Sequence, residues 1–165
     1  MVKTVTRRSF ILGSILCATT LLAKDDGSRS LWLTHRDEEK SIIYHTNGDY
    51  IIDGYYQVSH FMRDRNEDAM TWIDYRLLDV LYSVQKHYQR PIEIKSGYRT
   101  PITNSKTLHS SKTSLHQYGK ACDIAIDGID NYELGIIARS YGANGVGIYK
   151  NYIHLDTGNV RHWFG

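Results

Sequence analysis

The sequence predicts an α+β fold in which a small antiparallel sheet carries flanking helices. Residues 71–88 place apolar side chains at steps of three and four, which indicates an amphipathic helix. Short β-rich runs separated by turn residues predict strand pairs near both ends of the chain. At 165 residues, the chain is long enough for one domain with a core and too short for two of ordinary size.

Each element follows from its own local pattern. Apolar periodicity, acidic starts and glycine or proline stops predict helices at residues 55–65, 71–88 and 131–141. Alternation and flanking turns predict six strands, at residues 31–34, 41–44, 92–94, 124–127, 146–149 and 152–155. The first two strands form one hairpin and the last two form another. The polar stretch 100–113 is predicted to be a long loop, and loops of this length are often functional.

The N-terminal residues 1–23 are predicted to be an export signal. Arg7 and Arg8 precede an apolar run that reaches Ala23, the pattern of the twin-arginine route, and a general secretory signal is the alternative. The run is shorter than the roughly 20 apolar residues of a membrane span, although an uncleaved anchor stays open. Residues 24–30 are then a linker, and residues 31–165 are the folded domain. Either route predicts a periplasmic protein.

Charge and cysteine content argue against a nucleic-acid-binding protein and against a disulfide-stabilised domain. Loss of the signal removes Lys3, Arg7 and Arg8 and no acid, so the formal charge changes from +2 to −1. No basic stripe remains that would bind nucleic acid. Cys122 alone would remain, so the mature chain has no intramolecular disulfide. We expect a monomer without a stable membrane span after signal removal.

Three residues are candidate metal ligands. His116 and Asp123 flank the turn-forming Gly119, and His154 lies in a predicted strand on the same face as Tyr152 and Asp156. Two imidazoles and one carboxylate suit zinc. A fourth position left for water is typical of a catalytic rather than a structural zinc site.

These residues belong to a set of motifs that occur in a fixed order over roughly residues 30–165. The motifs are Ser96-Gly97-Tyr98-Arg99, Ser114-x-His116-x-x-Gly119-x-Ala121-x-Asp123, Gly145-Val146-Gly147-Ile148-Tyr149, Ile153-His154-Leu155-Asp156-Thr157-Gly158 and Arg161-His162-Trp163. The set resembles the D-Ala-D-Ala metallopeptidase superfamily, which includes VanX-type dipeptidases and hedgehog domains. Within it, the chain is most similar to the periplasmic murein endopeptidases of the K type.

The resemblance implies one zinc ion per chain, held by His116, Asp123 and His154 in a cleft on the sheet. It also implies hydrolysis of amide bonds in the cross-links of peptidoglycan stem peptides. A D,D- or L,D-carboxypeptidase that trims stem peptides is one alternative. A zinc-containing domain that binds wall peptides without cutting them is the other.

The general base is not settled by the resemblance, because Asn151 stands where VanX-type relatives have glutamate. Asp156 is the first candidate and His162 the second, and Asp156 could instead orient a ligand histidine. Arg99 is a candidate for oxyanion stabilisation or substrate binding, as the family implies. The remaining candidate substrate contacts are Tyr98, His109, Tyr152 and Arg161.

Overall fold

The computed structural model describes residues 27–108 and 110–165. The predicted export signal, the first part of the predicted linker and His109 lie outside the described residues. No helix in the described part of the chain is long and apolar enough to cross a membrane. The fold is α+β, as predicted, with one sheet and four α-helices among these residues.

The strands are β1 (Arg29–His35), β2 (Glu38–Thr46), β3 (Asp49–Tyr50), β4 (Ile92–Ser96), β5 (Ala121–Ala125), β6 (Gly145–Ile148), β7 (Ile153–Asp156) and β8 (Arg161–Phe164). The helices are α1 (Ile52–Phe61), α2 (Tyr75–Tyr88), α3 (Pro101–Lys106) and α4 (Asn131–Ser140). One turn of 3-10 helix, Leu115–Tyr118, precedes β5. Both predicted hairpins are present as antiparallel pairs, β1 with β2 and β6 with β7.

The prediction of a small antiparallel sheet was wrong in size and in strand direction. The sheet has eight strands in the order β3-β2-β1-β4-β5-β7-β6-β8, and the pairs β1–β4 and β6–β8 are parallel. Parallel partners are separated by long connections, so local periodicity does not reveal them. The mostly exposed strand β8 also lacks the alternation that marks a half-buried strand.

Helix boundaries follow capping chemistry. Asp74 caps α2 by accepting a hydrogen bond from the Arg76 N–H at 3.0 Å, so the helix begins after the predicted start at residue 71. Helix α3 lies inside the predicted loop. It is capped by Thr100 and has Pro101 in its first turn, a start signal that the sequence offers.

Side chains of the central strands β5 and β7 point alternately to the core face and to the opposite face of the sheet. Cys122 and Ile124 of β5 and Ile153 of β7 are fully buried in the hydrophobic core. Asp123 and His154 therefore project from the opposite face of the sheet. Burial raises the pKa of the Cys122 thiol well above its ordinary value, so this cysteine is a core residue.

Candidate metal centre

Three polar side chains from distant parts of the chain meet on that face of the sheet. His116 comes from the 3-10 turn, Asp123 from β5 and His154 from β7, and one donor atom of each lies within 4.8 Å of the others. Asp123 and His154 are direct cross-strand partners in the β5–β7 ladder. The sheet therefore sets the spacing of two candidate ligands, and the turn supplies the third.

Hydrogen bonds outside the cluster assign the protons of both imidazoles. His116 Nδ1 lies 2.6 Å from the Gly97 carbonyl oxygen, and His154 Nε2 lies 3.0 Å from Asp156 Oδ2. Both partners are acceptors, so each of these nitrogens carries the hydrogen. The lone pairs of His116 Nε2 and His154 Nδ1 consequently face each other across 3.2 Å.

Asp123 Oδ1 completes this group of acceptors, 3.3 Å from His116 Nε2 and 3.0 Å from His154 Nδ1. Three converging acceptors repel one another unless a cation lies between them. Ligand bonds of about 2.0–2.1 Å in a tetrahedral zinc site place donors roughly 3.3 Å apart, close to the separations here. Both the donor chemistry and the spacing therefore fit zinc.

Burial and mutual charges set the protonation of the cluster. Burial lowers the pKa of His116 despite its contact with Asp123. Burial favours protonation of Asp123, yet the neighbouring His116 and His154 imidazoles and the charge of Arg99 hold its pKa well below its usual range. Burial opposes a charge on His154, but Asp123 and Asp156 raise its pKa overall. Asp123 is thus ionised and able to act as a ligand.

Residues Ser96 to Arg99 brace two of the three candidate ligands. The Gly97 carbonyl orients His116, and the Arg99 guanidinium is hydrogen-bonded to Asp123 Oδ2, leaving Oδ1 for the cluster. Arg99 Nε also donates to Ser96 Oγ at 2.7 Å. The predicted site residue Arg99 therefore lies in the centre, where it orients Asp123.

Asp156 is fully buried behind His154. Its Oδ2 accepts from His154 Nε2 at 3.0 Å and from Arg161 Nη2 at 2.7 Å, and its Oδ1 accepts from the Gly158 N–H at 2.8 Å. Burial raises the pKa of Asp156, but these donors outweigh it and lower the value overall. This geometry suits the orienting role and leaves no exposed oxygen to receive a proton from water.

His162, the second candidate base, does not reach the cluster. It is exposed and lies opposite Val146 in the parallel β6–β8 pair. The next residue, Trp163, contacts His154 with ring centroids 5.3 Å apart. Because successive side chains of a strand point to opposite faces, His162 projects away from the candidate ligands.

The predicted substrate contacts differ in their positions. Tyr152 stacks on Tyr149 at 4.6 Å, and burial together with the Asp123 charge raises its pKa. The Tyr98 ring packs against the hydrophobic core. Arg161 is engaged by Asp156, and His109 lies outside the described residues. The Tyr152 hydroxyl has no hydrogen bond with any described residue, and Tyr152 lies close enough to Asp123 and Arg99 for their charges to affect its pKa.

Trp163 also contacts the site, although its place in the Arg161-His162-Trp163 motif was the only sign of this in the sequence. Its Nε1 donates to the Tyr149 hydroxyl at 2.9 Å, and the Arg161 guanidinium lies 5.2 Å from its ring centroid. The ring covers Gly147, where an added Cβ would lie 2.4 Å from an indole carbon. A glycine inside a strand often marks a close approach by another group. Gly147 is therefore the residue in the sequence from which the contact with Trp163 could have been predicted.

We expect Gly147→Ala to lower zinc affinity by about tenfold and to destabilise the fold by about 1–3 kcal/mol, because the methyl group displaces the Trp163 ring from His154. Zinc titration and thermal unfolding measure the two effects. Gly135→Ala is the control, since its nearest neighbours are flexible ends of Ile148 at 3.1 Å. Wild-type zinc affinity in Gly147→Ala would show that Trp163 does not position His154.

Comparison with known proteins assigns the class of protein. The family model described as "Peptidoglycan L,D-endopeptidase MepK" (Peptidase_M15_2) matches residues 22–163, so the chain belongs to this peptidase family. The membership predicted from the ordered motifs is confirmed.

Individual relatives carry the same description. The chain is 33% identical to the peptidoglycan L,D-endopeptidase MepK of Escherichia coli (strain K12) over 164 residues, which cover 92% of this chain and 90% of that protein. It is similarly 33% identical to the protein of that name from Shigella flexneri. It is 34% identical to a probable peptidoglycan L,D-endopeptidase MepK of Haemophilus influenzae over 118 residues, or 66% of this chain and 63% of that protein.

Proposed function

We propose that this chain is a zinc-dependent endopeptidase that hydrolyses an L,D amide bond in the cross-links of peptidoglycan stem peptides. The observation that carries the proposal is the convergence of two imidazole lone pairs and one carboxylate oxygen, in a member of a peptidoglycan endopeptidase family. The names of the relatives support the L,D bond. A cell-wall substrate favours the periplasm as the site of action.

His116, Asp123 and His154 would hold the zinc ion. Zinc bound there supplies a Lewis acid for the scissile carbonyl and lowers the pKa of a water molecule. Arg99 and Asp156 act through the candidate ligands, since each fixes one of them by hydrogen bonds from outside the cluster.

Two groups beside the cluster are available to the substrate. Arg99 Nη1 has no hydrogen bond with any described residue, so it can donate to a peptide oxygen. Tyr152 stays protonated because burial and the Asp123 charge raise its pKa, and its hydroxyl can donate to an oxyanion. Neither Asp156 nor His162 is placed to accept a proton from attacking water, and we assign the role of base to neither.

The carboxypeptidase alternative has less support. It would be favoured by an arginine free to bind a terminal carboxylate, but Arg161 makes two hydrogen bonds to Asp156 and Arg99 is bonded to Asp123. Only part of the Arg99 guanidinium remains for a ligand. The non-catalytic alternative predicts wall binding without cleavage, which the same experiment detects.

The test is incubation of the mature chain with zinc and intact sacculi, followed by chromatography and mass spectrometry of the released muropeptides. We expect loss of cross-linked dimers, with cleavage at an L,D bond, and no cleavage after the metal is removed with a chelator. Shortened monomers would instead indicate a carboxypeptidase. Unchanged muropeptides with retained wall binding would indicate a non-catalytic domain.

A further inference from the structure

We propose that an exposed group of aromatic rings beside the metal centre binds the sugar rings of the peptidoglycan glycan strand. This aromatic surface consists of Tyr50, Tyr55, Tyr56, Trp72 and Tyr75. The inference rests on the proposed function, since it assigns a second part of the same substrate to a second part of the same molecule.

The rings form one continuous group. Trp72 contacts Tyr55 at a centroid distance of 4.9 Å and Tyr56 at 6.2 Å. Tyr50 lies 6.0 Å from both Tyr55 and Tyr75. Tyr50 and Tyr55 are half-buried and pack against the core, whereas the three outer rings are 46–54% exposed. The fold thus holds three outer rings on a support of two inner ones.

The outer rings also present free polar atoms. Among the residues that the structure describes, the Trp72 indole N–H and the hydroxyls of Tyr56 and Tyr75 have no hydrogen-bond partner. Aromatic faces that carry polar groups at their edges suit a ligand with alternating C–H faces and hydroxyl groups. A sugar ring has this character, whereas an aliphatic partner would leave the polar atoms unpaired.

Backbone contacts connect this surface to the candidate metal centre. The Trp72 carbonyl oxygen lies so close to Gly119 that an added Cβ would approach it to 2.5 Å, and Gly119 adopts a φ of +64°. The Asp74 N–H donates to the Gly119 carbonyl at 2.8 Å, and the Thr157 hydroxyl donates to Asp74 Oδ2 at 2.8 Å. The segment that carries Trp72 therefore touches both the turn that presents His116 and the residue after Asp156.

The backbone connection between the aromatic surface and the metal centre indicates which ligand the surface binds. In peptidoglycan, every stem peptide is attached to a sugar of the glycan strand, so a peptide bound at the metal centre brings sugars to its surroundings. Tyr118, in the turn that presents His116, is a further exposed aromatic residue. The glycan strand is the partner that both the chemistry of the surface and its position fit.

The direct test measures binding of peptide-free glycan strands to the mature chain and to a Tyr56→Ala/Trp72→Ala variant. We expect the variant to bind the strands about tenfold more weakly, because two stacking rings are lost. Trp32→Ala is the matched control, since Trp32 is also partly exposed and lies on β1 outside the aromatic surface. Thermal unfolding and the single variant Tyr56→Ala, with an expected loss of about threefold, confirm that the effect is not loss of folding.

A second measurement compares cleavage of sacculi with cleavage of a sugar-free cross-linked peptide. We expect the double variant to lose activity on sacculi and to keep wild-type turnover of the sugar-free peptide. Equal glycan binding by variant and wild type, or no glycan binding by the wild type, would overturn the inference. So would a loss confined to the binding of phospholipid vesicles, which would make the surface a membrane contact. Glycan binding does not depend on cleavage. A chain that cuts neither substrate would therefore refute the proposed function, and the glycan-binding measurement would still test the aromatic surface.

Discussion

Replacing His116 with alanine is expected to abolish zinc binding and to lower peptidoglycan cleavage by at least about a thousandfold. The side chain is 1% exposed and supplies one of three converging donors, so its loss leaves two donors for the ion. Several kcal/mol of transition-state stabilisation depend on a bound catalytic metal, which corresponds to a factor of this size. Isothermal titration with zinc and analysis of muropeptides measure the two effects.

His87→Ala is the control for this variant, because His87 is an exposed histidine on α2 whose described contacts are with Tyr88 and Tyr141. It should bind zinc and cut sacculi as the wild type does. His162→Ala should behave in the same way, since His162 projects away from the cluster. Cleavage at the wild-type rate by His116→Ala would refute the zinc mechanism.

Asp156→Asn is expected to reduce zinc affinity by about 10- to 100-fold, in line with loss of a carboxylate that orients a ligand histidine. An asparagine at this position offers one acceptor and one donor where His154, Gly158 and Arg161 all present donors. One N–H therefore faces another N–H in a fully buried position, which costs about 1–3 kcal/mol of stability. Zinc titration and chemical unfolding report the two quantities.

Asp130→Asn provides the matched exchange of carboxylate for amide. Asp130 caps α4 by accepting hydrogen bonds from the Tyr132 and Glu133 N–H groups, and asparagine caps helices about equally well. This control should change neither zinc affinity nor stability appreciably. If Asp156→Asn kept wild-type zinc affinity but lost cleavage, the side chain would be acting as a base after all.

Local patterns in the sequence predicted most of the individual elements but not the sheet. The hairpin of β6 and β7 was predicted because its two strands lie within a dozen residues of each other in the sequence. The parallel pairing of β1 with β4 depends on contacts nearly 60 residues apart, such as Leu33 with Ile92, and no periodicity records it. Thr100 and Pro101 are typical helix-start residues. Helix α3 was nevertheless not predicted, because the surrounding composition is typical of a loop.

The candidate site likewise has features that the sequence predicts and features that only the structure reveals. His116, Asp123 and His154 were singled out by residue type and motif, and the structure brings their donor atoms together. Their role as ligands stays a prediction until a metal is measured. The Gly97 carbonyl could not be found by residue type, because every residue has a backbone oxygen. Asp156 was found, but only its neighbours Arg161 and Gly158 show that its oxygens are already occupied.

The direct pairing of Asp123 with His154 across β5 and β7 has a consequence for how the centre can be lost. A shift of one residue between these strands would turn the pair out of register, and the side chains of one strand would point to the opposite face. Both strands lie in the interior of the sheet, so such a shift requires the neighbouring ladders to open as well. Fraying from either edge must therefore open at least two other ladders before it reaches this pair, and the two donors should persist in partly opened forms of the protein.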